Sequence, residues 1–100
     1  MRKGTTPTHI FTLDVDTSNL TDLRILYAQE EALVLEKTLT DCVLEDDAVS
    51  VTLTEDETFL FAPGIPVKIQ VRIRLDDGSV LTSDLITIPV KRCLKEEKLS

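Results

Sequence analysis

From Val67 to Leu75 apolar and polar residues alternate without a break. Val67, Ile69, Val71, Ile73 and Leu75 share one phase, and Lys68, Gln70, Arg72 and Arg74 share the other. Side chains of a strand point alternately to its two faces, so this period of two predicts a half-buried β-strand. The same period recurs through Phe11, Leu13 and Val15, through Leu23, Ile25 and Tyr27, and through Val49, Val51 and Leu53. Ala32–Thr40 has a composition a helix would accept, yet Val34, Thr38 and Thr40 are β-formers among strand neighbours, and a strand is expected. Another short strand is expected to start at Cys42. Val80–Val90 is expected to run back along Val67–Leu75, with Pro89 marking an edge or a bulge because it lacks a backbone donor.

Between these runs lie turn residues. Asp16-Thr17-Ser18-Asn19 and Glu45-Asp46-Asp47 carry side chains that bond back to their own backbone. Pro63-Gly64-Ile65-Pro66 punctuates the chain before the longest alternating run. Asp77-Gly78 is the strongest hairpin signal, suited to a turn that needs positive φ. Gln29-Glu30-Glu31 reads as a hairpin tip without the usual Gly or Asn. Thr54-Glu55-Asp56-Glu57 has the form of a capping box, and no long apolar period follows, so one short helical turn is expected near 54–58. Phe59 and Phe61 then return to the core. The sum is an all-β chain: about seven antiparallel strands, with turns at roughly 8–12-residue spacing, in an immunoglobulin-like β-sandwich. Residues 1–8 read as a polar N-terminal arm, 9–92 as the sandwich domain and 93–100 as a charged C-terminal tail.

Composition narrows this picture. The 100 residues suffice for one domain with a real core, and 42% are hydrophobic. A net charge of −7 disfavours phosphate backbones, so no nucleic-acid partner is expected. No apolar run approaches the roughly 20 residues of a membrane helix, and none follows the basic start as a signal peptide would require. No membrane partner is expected. Cys42 and Cys93 stand at no motif spacing, which leaves their pairing open. His9 is the only histidine, too few for a histidine-built zinc site. The acidic clusters Asp14/Asp16, Glu45–Asp47, Glu55–Glu57 and Asp76/Asp77 follow no EF-hand spacing and read as solvated turns and a helix start. No nucleophile–base pair, metal set or phosphate loop is evident, so no enzyme activity and no cofactor is expected.

One feature stands against the acidic background. Lys68, Arg72 and Arg74 form a basic row on the outward phase of the longest run. It is expected to pair across the sheet with acids such as Asp84, or else to serve as an interface for an acidic partner. The opening Arg2-Lys3-Gly4-Thr5-Thr6-Pro7-Thr8-His9, the stretch Leu53-Thr54-Glu55-Asp56-Glu57-Thr58 and the segment Val67-Lys68-Ile69-Gln70-Val71-Arg72-Ile73 resemble small proteins encoded in phages and prophages of Gram-positive gut bacteria. More distantly, the order of turns and strands is similar to the N-terminal immunoglobulin-like domain of phage baseplate upper proteins. The resemblance implies a virion or bacterial-cytoplasm setting, tail or baseplate association, and partners that are copies of itself or other virion proteins. The alternative expectation is a carbohydrate- or cell-surface-binding sandwich.

Overall fold

The computed structural model describes residues 1–95 and Leu99. The expected charged tail, 93–100, therefore falls partly outside the described residues. Among the described residues there are eight strands: β1 (Thr8–Thr12), β2 (Leu20–Gln29), β3 (Ala32–Thr38), β4 (Cys42–Glu45), β5 (Ala48–Thr52), β6 (Val67–Leu75), β7 (Val80–Thr82) and β8 (Ile86–Ile88). One helical turn, α1 (Glu55–Phe59), follows β5. All strand pairings are antiparallel and form two sheets, β1-β5-β4 and β3-β2-β6-β7, with β8 also on β6.

This order is that of an immunoglobulin-type sandwich, where strands B, E and D face C′, C, F and G. β1, β5 and β4 take the first three places. β3, β2, β6 and β7 take the other four. The first immunoglobulin strand has no counterpart beside β1 among the described residues. Near its place the chain makes one parallel bridge, Arg2 with Lys91.

The alternation in β6 carries through to burial. Val67, Ile69, Val71 and Ile73 are buried, and Lys68, Arg72 and Arg74 are exposed. Leu23, Ile25 and Tyr27 from β2 join them in one core with Phe11, Val49, Val51, Leu53 and Phe61. Tyr27 is the largest fully buried side chain. Its hydroxyl and His9 Nδ1 are 2.8 Å apart, and its ring lies 6.0 Å from that of Phe61. A phenol buried in an apolar core needs a hydrogen-bond partner, and His9 on the facing sheet supplies it.

The capping box at α1 forms as expected. Thr54 Oγ1 accepts from Glu57 N at 3.1 Å, and Glu57 Oε1 accepts from Thr54 N at 2.9 Å. Glu57 also holds Lys37 of β3 at 2.5 Å, a pair whose side chains are only 20% and 12% exposed. Lys37 lies opposite Ile25, on the inward phase of β3, so its charge is neutralised within the protein. Burial opposes ionisation of Glu57, but Lys37 and the Thr54 amide outweigh it and hold the carboxyl below its ordinary pKa.

Two expectations change. The last long strand is two short ones, which makes eight strands in place of about seven. Ser83 interrupts the run: its hydroxyl accepts from Val71 N at 2.9 Å, and Asp84 and Leu85 lie outside the ladder. A side-chain oxygen thus takes a bond that a strand carbonyl would otherwise accept. The Asp77-Gly78 turn forms with the positive φ expected of it. Gly78 alone has positive φ, 88°, while Gly78 N donates to Leu75 O and Leu75 N to Ser79 O, both at 2.9 Å. This is the three-residue form, in which a turn is followed by one left-handed residue. The arm, finally, is folded back. Lys91 N donates to Met1 O, Lys3 N to Lys91 O, and Gly4 N to Thr58 Oγ1. A Cβ on Gly4 would lie 3.1 Å from the Phe59 ring and 3.2 Å from Cys93 Sγ, so glycine lets the backbone approach that closely.

Candidate functional site

β6 positions the basic row because its period of two turns every second side chain outward. Its neighbours decide what the row meets. β2 runs beside it in antiparallel register, with Arg24 opposite Arg72, Asp22 opposite Arg74 and Ala28 opposite Lys68. On the other side stand Thr82 opposite Arg72, Val80 opposite Arg74 and Thr87 opposite Lys68. The expected partner Asp84 is in the loop between β7 and β8, so cross-strand pairing with it does not occur. The break at Ser83 is the reason.

Arg24 belongs to the site and is missing from a reading of β6 alone. Its outward phase in β2 is legible, since Leu23 and Ile25 flank it on the core phase. That it faces Arg72 is a matter of inter-strand register, which sequence spacing does not carry. Together Asp22, Arg24, Arg72, Arg74 and Val80 line a shallow groove of about 220 Å³. Asp22 is the acid of that groove. Its Oδ1 lies 3.6 Å from Arg24 Nη1 and accepts from Leu23 N at 2.8 Å. Glu36, on the outward phase of β3, lies further off across Leu26. Like charges directly opposite on neighbouring strands are destabilising. Arg24, Lys68, Arg72 and Arg74 stand against the carboxylates of Asp22, Glu36 and Asp41, the last held by Thr38 opposite Arg24, so the face keeps an excess of one cation on a molecule of charge −7.

The remaining candidates are dispersed. His9 is half-buried against Tyr27; burial, with the amino-terminal charge adding to it, lowers its pKa. Both cysteines are free thiols. Cys42 donates to Thr38 O at 3.3 Å, and burial, then the Asp41 charge, push its pKa up, away from thiolate reactivity. Asp14 and Asp16 meet Asp46 and Asp47 at one end of the sandwich, around an open hollow with Leu13 and Val15. Among the described residues no group of three His, Cys, Asp or Glu side chains gathers as a metal site, and no helix is long and apolar enough to cross a membrane. Compared with family models, with curated proteins and with solved structures, the chain matches nothing.

Proposed function

We propose that the chain is a non-catalytic structural or interaction module of a phage or prophage, tail- or baseplate-associated, acting through protein–protein contacts with copies of itself or other virion proteins. The observation that carries this reading is the outer face of β2 and β6. Arg24 and Arg72 face each other across the ladder with one acid in their groove. An acidic protein surface laid on that face offsets the repulsion between them and gains charge-assisted hydrogen bonds to guanidinium groups. Arginine suits such a contact because its planar fork binds carboxylates bidentately. The glycan-binding alternative draws no support from the aromatic residues. Phe11, Tyr27 and Phe61 are buried; Phe59, expected in the core, is instead partly exposed beside Gly4, and one ring makes no aromatic platform.

Poly-L-glutamate is a direct probe of the basic face. Titration calorimetry at low salt should show binding that weakens as salt screens the contact. Arg72→Glu with Arg74→Glu should weaken it by about tenfold or more, as loss of charge complementarity requires. Undiminished binding by that double variant, or none by the wild type, overturns the assignment of the face. The setting is tested by the genes that flank the coding sequence. A tail or capsid cluster supports it, and a set of metabolic enzymes contradicts it.

A further inference from the structure

The side of the sandwich between β1 and β7 is short of one strand, and both sheets register the lack. Leu13 N donates to Asp47 O, and Leu53 N to Pro7 O. The odd-numbered residues of β1 thus turn their backbone groups to β5, and the N–H and C=O groups of Ile10 and Thr12 point to the other edge. β1 pairs only with β5, so that edge has no strand partner among the described residues. Nor does Thr8–Thr12 carry the charge, proline or bulge that usually blunts a sheet edge.

On the facing sheet, Leu81 and Ile86 stand opposite Ile73 and Ile69. That is the inward phase, yet they are 46% and 41% exposed. Ile88, on the same phase, packs against the core together with Met1. The amino-terminal residues make the difference. They lie parallel to the chain at Lys91, with the terminal ammonium donating to Pro89 O, and cover this side only at the Ile88 end. Further along, Leu13, Val15, Val71, Ile73 and Leu81 line an open hollow of about 170 Å³. A cavity of about 150 Å³ accepts benzene, so the hollow has room for a branched aliphatic side chain. It adjoins a second hollow, where Leu13, Asp14 and Val15 meet Asp16, Asp46 and Asp47. No lysine or arginine lines either one among the described residues.

These features define what fits. Free backbone groups along β1 take an extended segment. Leu81, Ile86 and the hollow take aliphatic side chains on one of its faces. The unopposed carboxylates take a cation. A segment in line with Met1–Lys3 is antiparallel to β1, and β1 runs into Asp14, so the segment's amino-terminal end lies among the aspartates. We propose that this open side accepts a strand from a different protein. The strand alternates aliphatic and polar residues and carries lysine or arginine at its amino-terminal end. It pairs with the free edge of β1, seats an aliphatic side chain between Leu13 and Leu81, and sets its cation against Asp14 and Asp16. The chain's own run of this kind, Val67–Leu75, is its central core strand, so a folded second copy does not supply it. The inference rests on the reading of the chain as an interaction module and gives the chemistry of a partner.

Amide hydrogen exchange followed by NMR tests it. The probe is a synthetic peptide with a free amino terminus, lysine followed by alternating valine and threonine. A length of about six residues, at about 3.3 Å each, runs past both Ile86 and Leu81, which face β6 residues four positions apart. Saturating peptide should slow exchange at Ile10 and Thr12 and leave Phe11, already bonded to β5, unchanged. A peptide with glutamate in place of lysine should bind about tenfold more weakly, and Asp14→Asn with Asp16→Asn should narrow that difference. Leu81→Asp, which puts an unpaired carboxylate in the hollow, should weaken binding about tenfold. Slow exchange at Phe11 verifies that each variant is folded. No binding, binding that leaves Ile10 and Thr12 fast, equal binding of the two peptides, or undiminished binding by Leu81→Asp overturns the inference. Slowing of Ile10 and Thr12 by protein concentration alone means that a second copy covers the edge, and the assignment to a different protein falls. If the peptide fails while poly-L-glutamate binds the face of β2 and β6, the strand-accepting edge falls and the interaction-module reading stands. If both probes fail, both fall.

Discussion

Tyr27 and His9 join the two sheets at the centre of the core, and their chemistry gives the fold a pH dependence. The imidazole is half-buried, and burial, then the amino-terminal charge, lower its pKa from the ordinary 6.5. The unfolded chain therefore binds the His9 proton at a higher pH than the folded protein does. Stability from this group is complete above pH 6.5 and is lost as pH falls through that value toward the folded pKa. Urea denaturation at a series of pH values should show the fall, and His9→Asn should flatten it. An NMR titration of the imidazole with a midpoint at or above 6.5 would contradict the assignment. Gln29 shows the same economy at the residue scale. It is buried, yet its amide nitrogen donates to Ala62 O and Ile65 O, and its oxygen accepts from Ala62 N. One side chain thereby fixes the Pro63–Pro66 turn against the β2–β3 hairpin, with its polar atoms satisfied.

That hairpin shows at the element scale how local cost is accepted for register. Gln29 pairs with Ala32, leaving Glu30 and Glu31 as a two-residue loop with φ of 49° and 67°. Both residues occupy the left-handed region, which favours Asn and Gly and costs other residues about 1 kcal/mol or more each. Replacing Glu30 by Asn and Glu31 by Gly should raise stability by about 1 kcal/mol, the scale set by relief of that strain, read as a higher urea midpoint with unchanged slope. A lowered midpoint would mean the glutamates make contacts that outweigh the strain. The position of this turn is legible in sequence because the flanking runs alternate. Its geometry is not, because neither residue advertises positive φ. β6 and the Thr54–Glu57 box are legible for the opposite reason: their cause lies within a few consecutive residues. The split of β7 from β8 has no such local cause. It follows from Ser83 meeting the Val71 amide, a contact between residues twelve positions apart.

At the scale of the whole molecule the amino-terminal residues close the fold. Lys3 is 4% exposed, and Met1–Lys3 bond Lys91 and Arg92 at the far end of the chain. Deleting Met1–Lys3 removes these long-range bonds. The two backbone bonds to Lys91 alone, at about 1 kcal/mol each, give a loss of about 2 kcal/mol, which lowers Tm by roughly 10 °C for a domain of this size. A calorimetric scan checks it, and an unchanged Tm would show that the segment is a dispensable arm. The same scale decides the basic face. Lys68, Arg72 and Arg74 can be chosen from one strand, whereas Arg24 joins them only when β2 is set in register.

The sequence by itself determined the class of fold, the phase of β6, the helical turn and the outward direction of the basic row. Each follows from side-chain period or capping chemistry among near neighbours, which any folded context preserves. Tertiary structure alone decided that Arg24 faces Arg72 and that Asp84 faces no arginine. It also paired Lys37 with Glu57, folded the first residues onto the last, and brought Asp14 and Asp16 to Asp46 and Asp47. These depend on register and on which loops meet, and residues far apart in sequence settle both.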